Sequence, residues 1–321
     1  MSMKLKALVF AAAGLAVAST SAHALDKVRM VNSTKVVFET EHPYAALENG
    51  IFKNYGLDVS IIHGSGGAAS LQAVITGSQD IVWGNGVLGV VAAYSKGAPV
   101  RILGANIRGV PDLYWYVKAD SKIKSFKDLK ADDQFVYSRP GSTTNLAAYY
   151  IKEALHIPAK LVSVGGPSGS RTQVMSGQVT TGWSVFPLNK GLLREHKIRI
   201  IGTGKEAKGL VGVTIRVIAA NSNWLDKHRD VAQRFMLAMM EGRARSYYSN
   251  EELHKYAQRW KLNYADVKTA PEDTPAKDTT LLPVSGLETI NKIALESHKI
   301  DKLLTPAQLH ELVHPMGHKP I

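Results

Sequence analysis

Ser138-Arg139-Pro140-Gly141-Ser142-Thr143-Thr144-Asn145 reads as a strand end, a glycine turn and the start of a helix that continues through 146–155. Ser142, Thr143 and Thr144 can each cap that helix and still present a hydroxyl outward. Free N–H groups and the positive end of the helix dipole make such a place attractive to a small anion. Alone the feature says little, since most Ser/Thr-capped helix starts bind nothing. Its weight comes from similar loops elsewhere in the chain.

Working outward, a repeated strand–loop–helix rhythm appears on both sides. On the N-terminal side, 28–31 reads as a strand followed by the polar loop Asn32-Ser33-Thr34, with Phe38 and Tyr44 near enough to form an aromatic wall. A helix is expected over 43–53, ending near Gly56, and a strand over 57–62. His63-Gly64-Ser65-Gly66-Gly67-Ala68 opens the next helix, over 69–76. A strand over 80–83 leads to Gly84-Asn85-Gly86 and another helix, and a strand over 100–103 places Asn106 and Arg108 just beyond its end. This alternation marks a parallel sheet covered by helices. Ligands in such sheets lie at the carboxyl ends of the strands, where all four polar loops fall.

Residues 113–118, with Tyr114, Trp115 and Tyr116, lead away from this unit. A second rhythm follows: strands at 134–137, 161–164, 181–184 and 198–201, helices at 125–129, 146–155, 168–176 and from Phe186-Pro187 to Glu195. The extended, β-branched stretch 211–220 can carry the chain back to the first unit. Beyond Trp224 the character is nearly all helical. Val231, Phe235 and Met239, spaced by four, form one buried stripe. A Pro- and acid-containing loop is expected over 271–277, and helices over 287–295 and 306–313 close the chain.

Composition bounds the reading. The 321 residues suffice for about two α/β domains, and 45% hydrophobic with 21% charged residues is a globular balance. Lys4 and Lys6 precede the apolar run 7–18, and Ala22-His23-Ala24 is a small-x-small cleavage site, the pattern of a secretory signal peptide over 1–24. There is no cysteine, so neither disulfides nor a lipid-bearing N-terminal cysteine is expected. A freely diffusing periplasmic protein of a Gram-negative bacterium fits these signs. The formal charge of +12 falls to +10 without Lys4 and Lys6. The lysines are scattered, with no Arg-rich arm or aromatic–basic repeat, so the charge reads as a solvated surface that draws in anions and not as a nucleic-acid site.

Several motifs together carry a resemblance. Residues 43–59 (Pro-Tyr-Ala-Ala-Leu-Glu-Asn-Gly-Ile-Phe-Lys-Asn-Tyr-Gly-Leu-Asp-Val) are similar to the helix–strand opening of solute-binding proteins of nitrate, sulfonate, taurine and thiamine-pyrimidine ABC importers. Gly66-Gly67-Ala68, Gly77-Ser-Gln-Asp80-Ile, the stretch 121–130, Pro140-Gly-Ser142 and Ser176-Gly-Gln-Val179 also match, so the resemblance spans about 28–235. It implies an α/β fold of the type II periplasmic-binding-protein class: a clamshell of two α/β lobes joined by two crossover strands. The first lobe would comprise 25–112 and 217–321, the second 113–216. It further implies capture of a small anion in the cleft, delivery to a membrane permease, a monomeric state and no cofactor. Carried over by position, the cleft would be lined by Thr34, Gly66, Gly67, Asn85 and Asn106 of the first lobe. Ser142, Thr143, Ser184 and Val185 would come from the second, with Thr214 and Arg216 on the return crossover.

Two departures stand out. Gly177-Gln-Val-Thr180-Thr181 replaces the Gly-x-x-Asp-Ala of many relatives, and Arg216 stands where amine-binding relatives need a carboxylate, which argues against taurine. Arg216 and Arg108 are the candidate anion clamps, since a guanidinium binds a carboxylate or sulfonate in a bidentate way, and Arg171 is a weaker third. Trp83, Trp115 and Trp183 lie on expected strands and read as core. His310-Glu311-Leu312-Val313-His314 fits H-E-x-x-H, with both imidazoles one turn apart on an expected helix. Pro315 follows at once and Leu309, Leu312 and Val313 form a packing stripe, so a terminal helix is expected there and no catalytic zinc; His318 could join only in adventitious metal binding. There is no G-x-S-x-G elbow and no Walker loop. Enzyme relatives that make the thiamine pyrimidine need a cysteine cluster, which this chain lacks. The expectation is a binding protein for a sulfonate or carboxylate, aromatic acids included. A thiamine-pyrimidine precursor or other heteroaromatic is the alternative ligand, and catalysis the more distant one.

Overall fold

The computed structural model describes residues 24–314. The expected leader and His318 therefore lie outside the described residues. Two α/β units account for the rest. The first is built on a five-stranded sheet of β1 (Asp26–Asn32), β2 (Leu57–His63), β3 (Ile81–Gly86), β4 (Val100–Arg108) and β10 (Thr214–Asn221), in the order β2-β1-β3-β10-β4. The second contains β5 (Leu113–Lys118), β6 (Gln134–Tyr137), β7 (Lys160–Ser163), β8 (Gly182–Val185) and β9 (Ile198–Thr203).

β1 pairs in parallel with β2 and β3, whereas β10 runs antiparallel to β3 and β4. In the second lobe β5 runs antiparallel to β8 and β9, and β6 pairs in parallel with β7. Thr181 Oγ1 sews the two parts together. It donates to the Gln134 carbonyl at 2.8 Å and accepts from the Val136 N–H at 3.2 Å. Each lobe thus receives one strand that arrives from the other lobe, and that strand is the antiparallel one. This is the two-crossover connection of a clamshell.

The helices are α1 (Glu41–Glu48), α2 (Ile51–Asn54), α3 (Gly67–Ile75), α4 (Val87–Ser95), α5 (Thr143–Leu155), α6 (Pro167–Met175) and α7 (Lys190–Arg194). They continue with α8 (Ser222–Leu225), α9 (Arg229–Tyr248), α10 (Asn250–Trp260), α11 (Tyr264–Val267), α12 (Ala270–Asp273), α13 (Leu287–Glu296) and α14 (Pro306–Leu312). Val231, Phe235 and Met239 of α9 are all buried, packed with Val28, Met30, Phe52 and Trp83 against one face of the first sheet. Burying each such side chain stabilises by about 1.5–3 kcal/mol. Trp115, Phe126 and Phe135 form the aromatic centre of the second lobe. Trp83, Trp115 and Trp183 are buried, and each indole N–H donates to a carbonyl, of Glu39, Val136 and Gly165 respectively.

The structure alters four details. The helix expected over 43–53 is two, broken at Gly50, whose φ of 70° takes the left-handed region. β4 runs on to Arg108 because β10 pairs with it along its whole length, so Asn106 and Arg108 lie within the strand and not beyond it. Thr214 and Arg216 belong to β10, already inside the first lobe's sheet. The stretch expected as a loop over 271–277 holds most of α12 and the start of a 3₁₀ turn, Ala276–Thr279.

Candidate ligand-binding cleft

The carboxyl ends of β1, β2 and β3 bring three polar segments of the first lobe side by side. Ser33 Oγ donates to Asn85 Oδ1 at 3.3 Å. Gly66 has a φ of +115°, which a side chain would strain. A Cβ on Gly67 would lie 3.3 Å from Asn85 Oδ1, so the loop passes too close to Asn85 for a larger residue to fit freely. Thr34 is exposed at the rim, and its carbonyl lies 3.1 Å from His63 Nδ1. His63 Nε2 lies 2.7 Å from the Tyr44 hydroxyl. Burial lowers the His63 pKa, so the ring is neutral, donating from Nδ1 to Thr34 and accepting from Tyr44.

The second lobe answers with the loop before α5. Ser138 Oγ lies 2.8 Å from both Ser142 Oγ and Thr144 Oγ1, and Ser142 caps α5 by accepting from the Asn145 N–H at 3.1 Å. Arg139 is exposed and reaches across the cleft, its Nη1 donating to the Ser65 carbonyl at 3.4 Å. Among the described residues it has no carboxylate within ion-pairing distance. A Cβ on Gly66 would lie 3.6 Å from Arg139 Nη1, and one on Gly86 would lie 3.5 Å from Thr143 Oγ1. Gly66 and Gly86 therefore face Arg139 and Thr143 across one seam, with Gly67 and Asn85 beside them on the first lobe and Ser142 beside Thr143 on the second.

Of the other expected residues, Asn106 and Arg216 border the seam, beside Gly84 and paired in the sheet with Gly86 respectively, and the rest make contacts of their own. Ser184 Oγ accepts from Asn189 Nδ2 at 3.3 Å and is paired across the sheet with Tyr114, whose ring stacks on Phe186 at 4.5 Å. Val185 is buried beside it. Asn106 is fully buried beneath Gly84, and neither of its amide atoms has a protein partner. Thr214 Oγ1 accepts from the Ser285 N–H at 2.9 Å, and Arg108 donates to Thr280 Oγ1 and the Pro283 carbonyl. Together they tie β10 and the edge strand β4 to the segment 280–285.

Arg216 requires a correction. Its Nη1 donates to Glu39 Oε1 at 2.6 Å and to Asp112 Oδ2 at 2.7 Å. Burial works against its charge, but Asp112 and Glu39 outweigh it and hold the guanidinium charged. Burial raises the Glu39 pKa, Arg216 opposes that, and Asp112 adds to it. The guanidinium is spent on two internal carboxylates and is not free to clamp an anion, so the argument it gave against an amine ligand also falls. Glu39 and Asp112 lie 177 and 104 residues away in sequence, and no spacing or motif announces them. Arg139 lies within the stretch that organises the sequence, yet nothing there marks it out from Pro140 or Gly141.

The H-E-x-x-H motif dissolves in three dimensions. α14 ends at Leu312, Val313 forms a bridge with Ile102, and the His314 N–H donates to the Ile102 carbonyl, so the two imidazoles do not share a helical face. Glu311 accepts from Arg101 and from Tyr94. Among the described residues no cluster of three or more His, Asp or Glu could hold a metal ion.

The chain is similar to several solved structures. A protein of Bordetella bronchiseptica RB50 is 25% identical, over 84% of this chain and 89% of that one, with a TM-score of 0.66. The periplasmic aliphatic sulphonate binding protein SsuA of Escherichia coli is 15% identical, over 92% and 95%, with a TM-score of 0.72. A mutant of DszB, in complex with biphenyl-2-sulfinic acid, is 17% identical, over 90% and 96%, with a TM-score of 0.63. At such identities the last two establish the periplasmic-binding fold alone. No curated protein matches by sequence. The family model described as NMT1/THI5 like matches residues 37–251, two-thirds of the sequence, and the chain belongs to that family.

Proposed function

We propose that this protein is the periplasmic substrate-binding component of an ABC importer and closes its lobes on a small organic anion, a sulfonate or a carboxylate. The observation that carries this reading is the seam itself. Arg139, without a carboxylate partner among the described residues, stands with Ser142 and Thr143 opposite the glycine loop 64–67 and Gly86. A guanidinium, hydroxyls and the N-terminus of α5 converge where glycines allow close approach of the backbone. A ligand that touches both sides only when the lobes are shut favours the closed state. Arg139 takes the role expected of Arg216. Two structural neighbours bear on the class: one is named for aliphatic sulphonates and the other holds an organic sulfinic acid, both sulfur oxyacids on carbon. The basic surface, an exported chain and a freely diffusing monomer that docks on a permease belong to the same reading. Among the described residues no helix is long and apolar enough to cross a membrane.

A heteroaromatic amine such as an aminopyrimidine is the second reading. It is favoured by the excess of buried carboxylate around Arg216, where Glu39 Oε2 has no hydrogen-bond partner, and by the stacked Tyr114–Phe186 pair. A thermal-shift screen over alkanesulfonates, arenesulfonates, carboxylates, nitrate and aminopyrimidines separates the two, because a tight ligand raises the melting temperature by mass action. Recovery of each compound unchanged separates binding from turnover.

A further inference from the structure

The lobes also meet away from the seam. Lys190 and Arg194 stand four residues apart, hence on one face of α7. Lys190 Nζ pairs with Asp273 and donates to Thr269 Oγ1, and Thr269 Oγ1 in turn donates to Asp273 Oδ2 at 3.2 Å. Arg194 pairs with Asp266. α7 belongs to the second lobe, following β8 and preceding β9. The acids belong to an arm anchored on the first. Tyr256 donates to the Val36 carbonyl at 2.9 Å, Trp260 to Glu41 Oε1 at 2.7 Å, and Val267 and Ala270 pack with Phe38.

Both ion pairs therefore cross the cleft, with the bases on one lobe and the acids on the other. They are unequal. The Lys190 and Asp273 side chains are 15% and 18% exposed, whereas Arg194 is 52% exposed and hence more open to screening by salt. The base of α7 is also tied to the end of β8 and the residue that follows it. Lys190 Nζ lies 5.1 Å from the Phe186 ring centroid, and Asn189 bonds Ser184.

We propose that Lys190 and Arg194 form an electrostatic latch with Asp273 and Asp266 that holds the lobes together without ligand and sets the resting balance between open and shut. The inference rests on the reading of the chain as a clamshell that opens and closes. Opening parts both pairs and returns four charges to water, so the latch biases the equilibrium before any ligand arrives.

The absence of native cysteine makes the test clean. Cysteines introduced at the exposed Lys53, on the first lobe, and Lys122, on the second, take paired spin labels for pulsed distance measurement on the ligand-free protein. The K190A/R194A double variant is expected to raise the open-to-shut ratio about tenfold, and high salt to shift the wild type the same way. Arg194→Asp alone should open the protein, and adding Asp266→Arg should close it again; that rescue stands as the test if the double variant fails to fold. An unchanged distance distribution in the double variant, or no rescue by the swap, overturns the latch. Because the distances are read without ligand, a failed latch leaves the anion-binding reading intact, and a failed ligand screen leaves the latch result intact.

Discussion

Arg216 Nη1 lies 2.7 Å from Asp112 Oδ2, joining the strand that returns to the first lobe to the last residue before the strand that leaves it. The same guanidinium holds Glu39, and all three side chains are at least nine-tenths buried. The pair thus pins the two crossovers at their shared edge. Truncating Arg216 leaves two carboxylates buried without a counter-charge. Arg216→Ala is therefore expected to cost about 3–5 kcal/mol of stability in urea unfolding. A variant that keeps wild-type stability and loses only ligand affinity would restore Arg216 as the anion clamp.

Arg108 was the other expected clamp. Its guanidinium binds Thr280 and the Pro283 carbonyl, and burial lowers its pKa. Arg108→Ala is expected to loosen the 280–285 segment, costing about 1–2 kcal/mol, with ligand affinity little changed. Hydrogen exchange of that segment, set beside a binding isotherm, checks both halves.

Gly66 holds a φ of +115°, and a Cβ placed there would lie 3.6 Å from Arg139 Nη1. Gly66→Ala is expected to cost about 1–3 kcal/mol through backbone strain. It should also weaken ligand binding, because the loop must move where the lobes meet. Gly165→Ala, at a φ of +78° with open space around it, supplies the control. That variant should show a strain cost without an equal loss of affinity.

Glu41 gives the fold a pH dependence. Burial, opposed by Arg259 and the Trp260 N–H, pushes its pKa up to about 7. The folded state therefore favours the protonated carboxyl. This contribution is fully present below the ordinary carboxylate range and is lost as pH rises through about 7. Glu41→Gln mimics the protonated form. Its stability relative to wild type should improve between pH 4 and pH 8 by about 3 kcal/mol. Paired thermal melts across that range check the slope, and parallel curves would refute it.

The architecture was legible because alternation and glycine turns are local signals. The 57–62 strand, the α5 start at Ser142 and the α9 stripe of Val231, Phe235 and Met239 all follow from neighbours a few residues apart. Half of the seam was legible for the same reason: Asn85 lies at a strand end, and Gly66, Gly67, Ser142 and Thr143 lie at helix starts. The electrostatics were not. A guanidinium reads the same in sequence whether it faces solvent or two acids, and the partners of Arg216 lie on a 3₁₀ turn and a crossover far along the chain. β4 was foreshortened because Asn106 and Arg108 are polar, although antiparallel pairing to β10 carries the strand through them.

The most direct test is titration calorimetry of the protein with the anion that gives the largest thermal shift, run in parallel on Arg139→Gln. One site per chain is expected in the wild type, with the compound recovered chemically intact. In Arg139→Gln the affinity should fall about ten- to hundredfold, while the melting temperature without ligand stays where it was. Equal affinity in the two proteins, or conversion of the bound compound, would contradict the anion-binding reading.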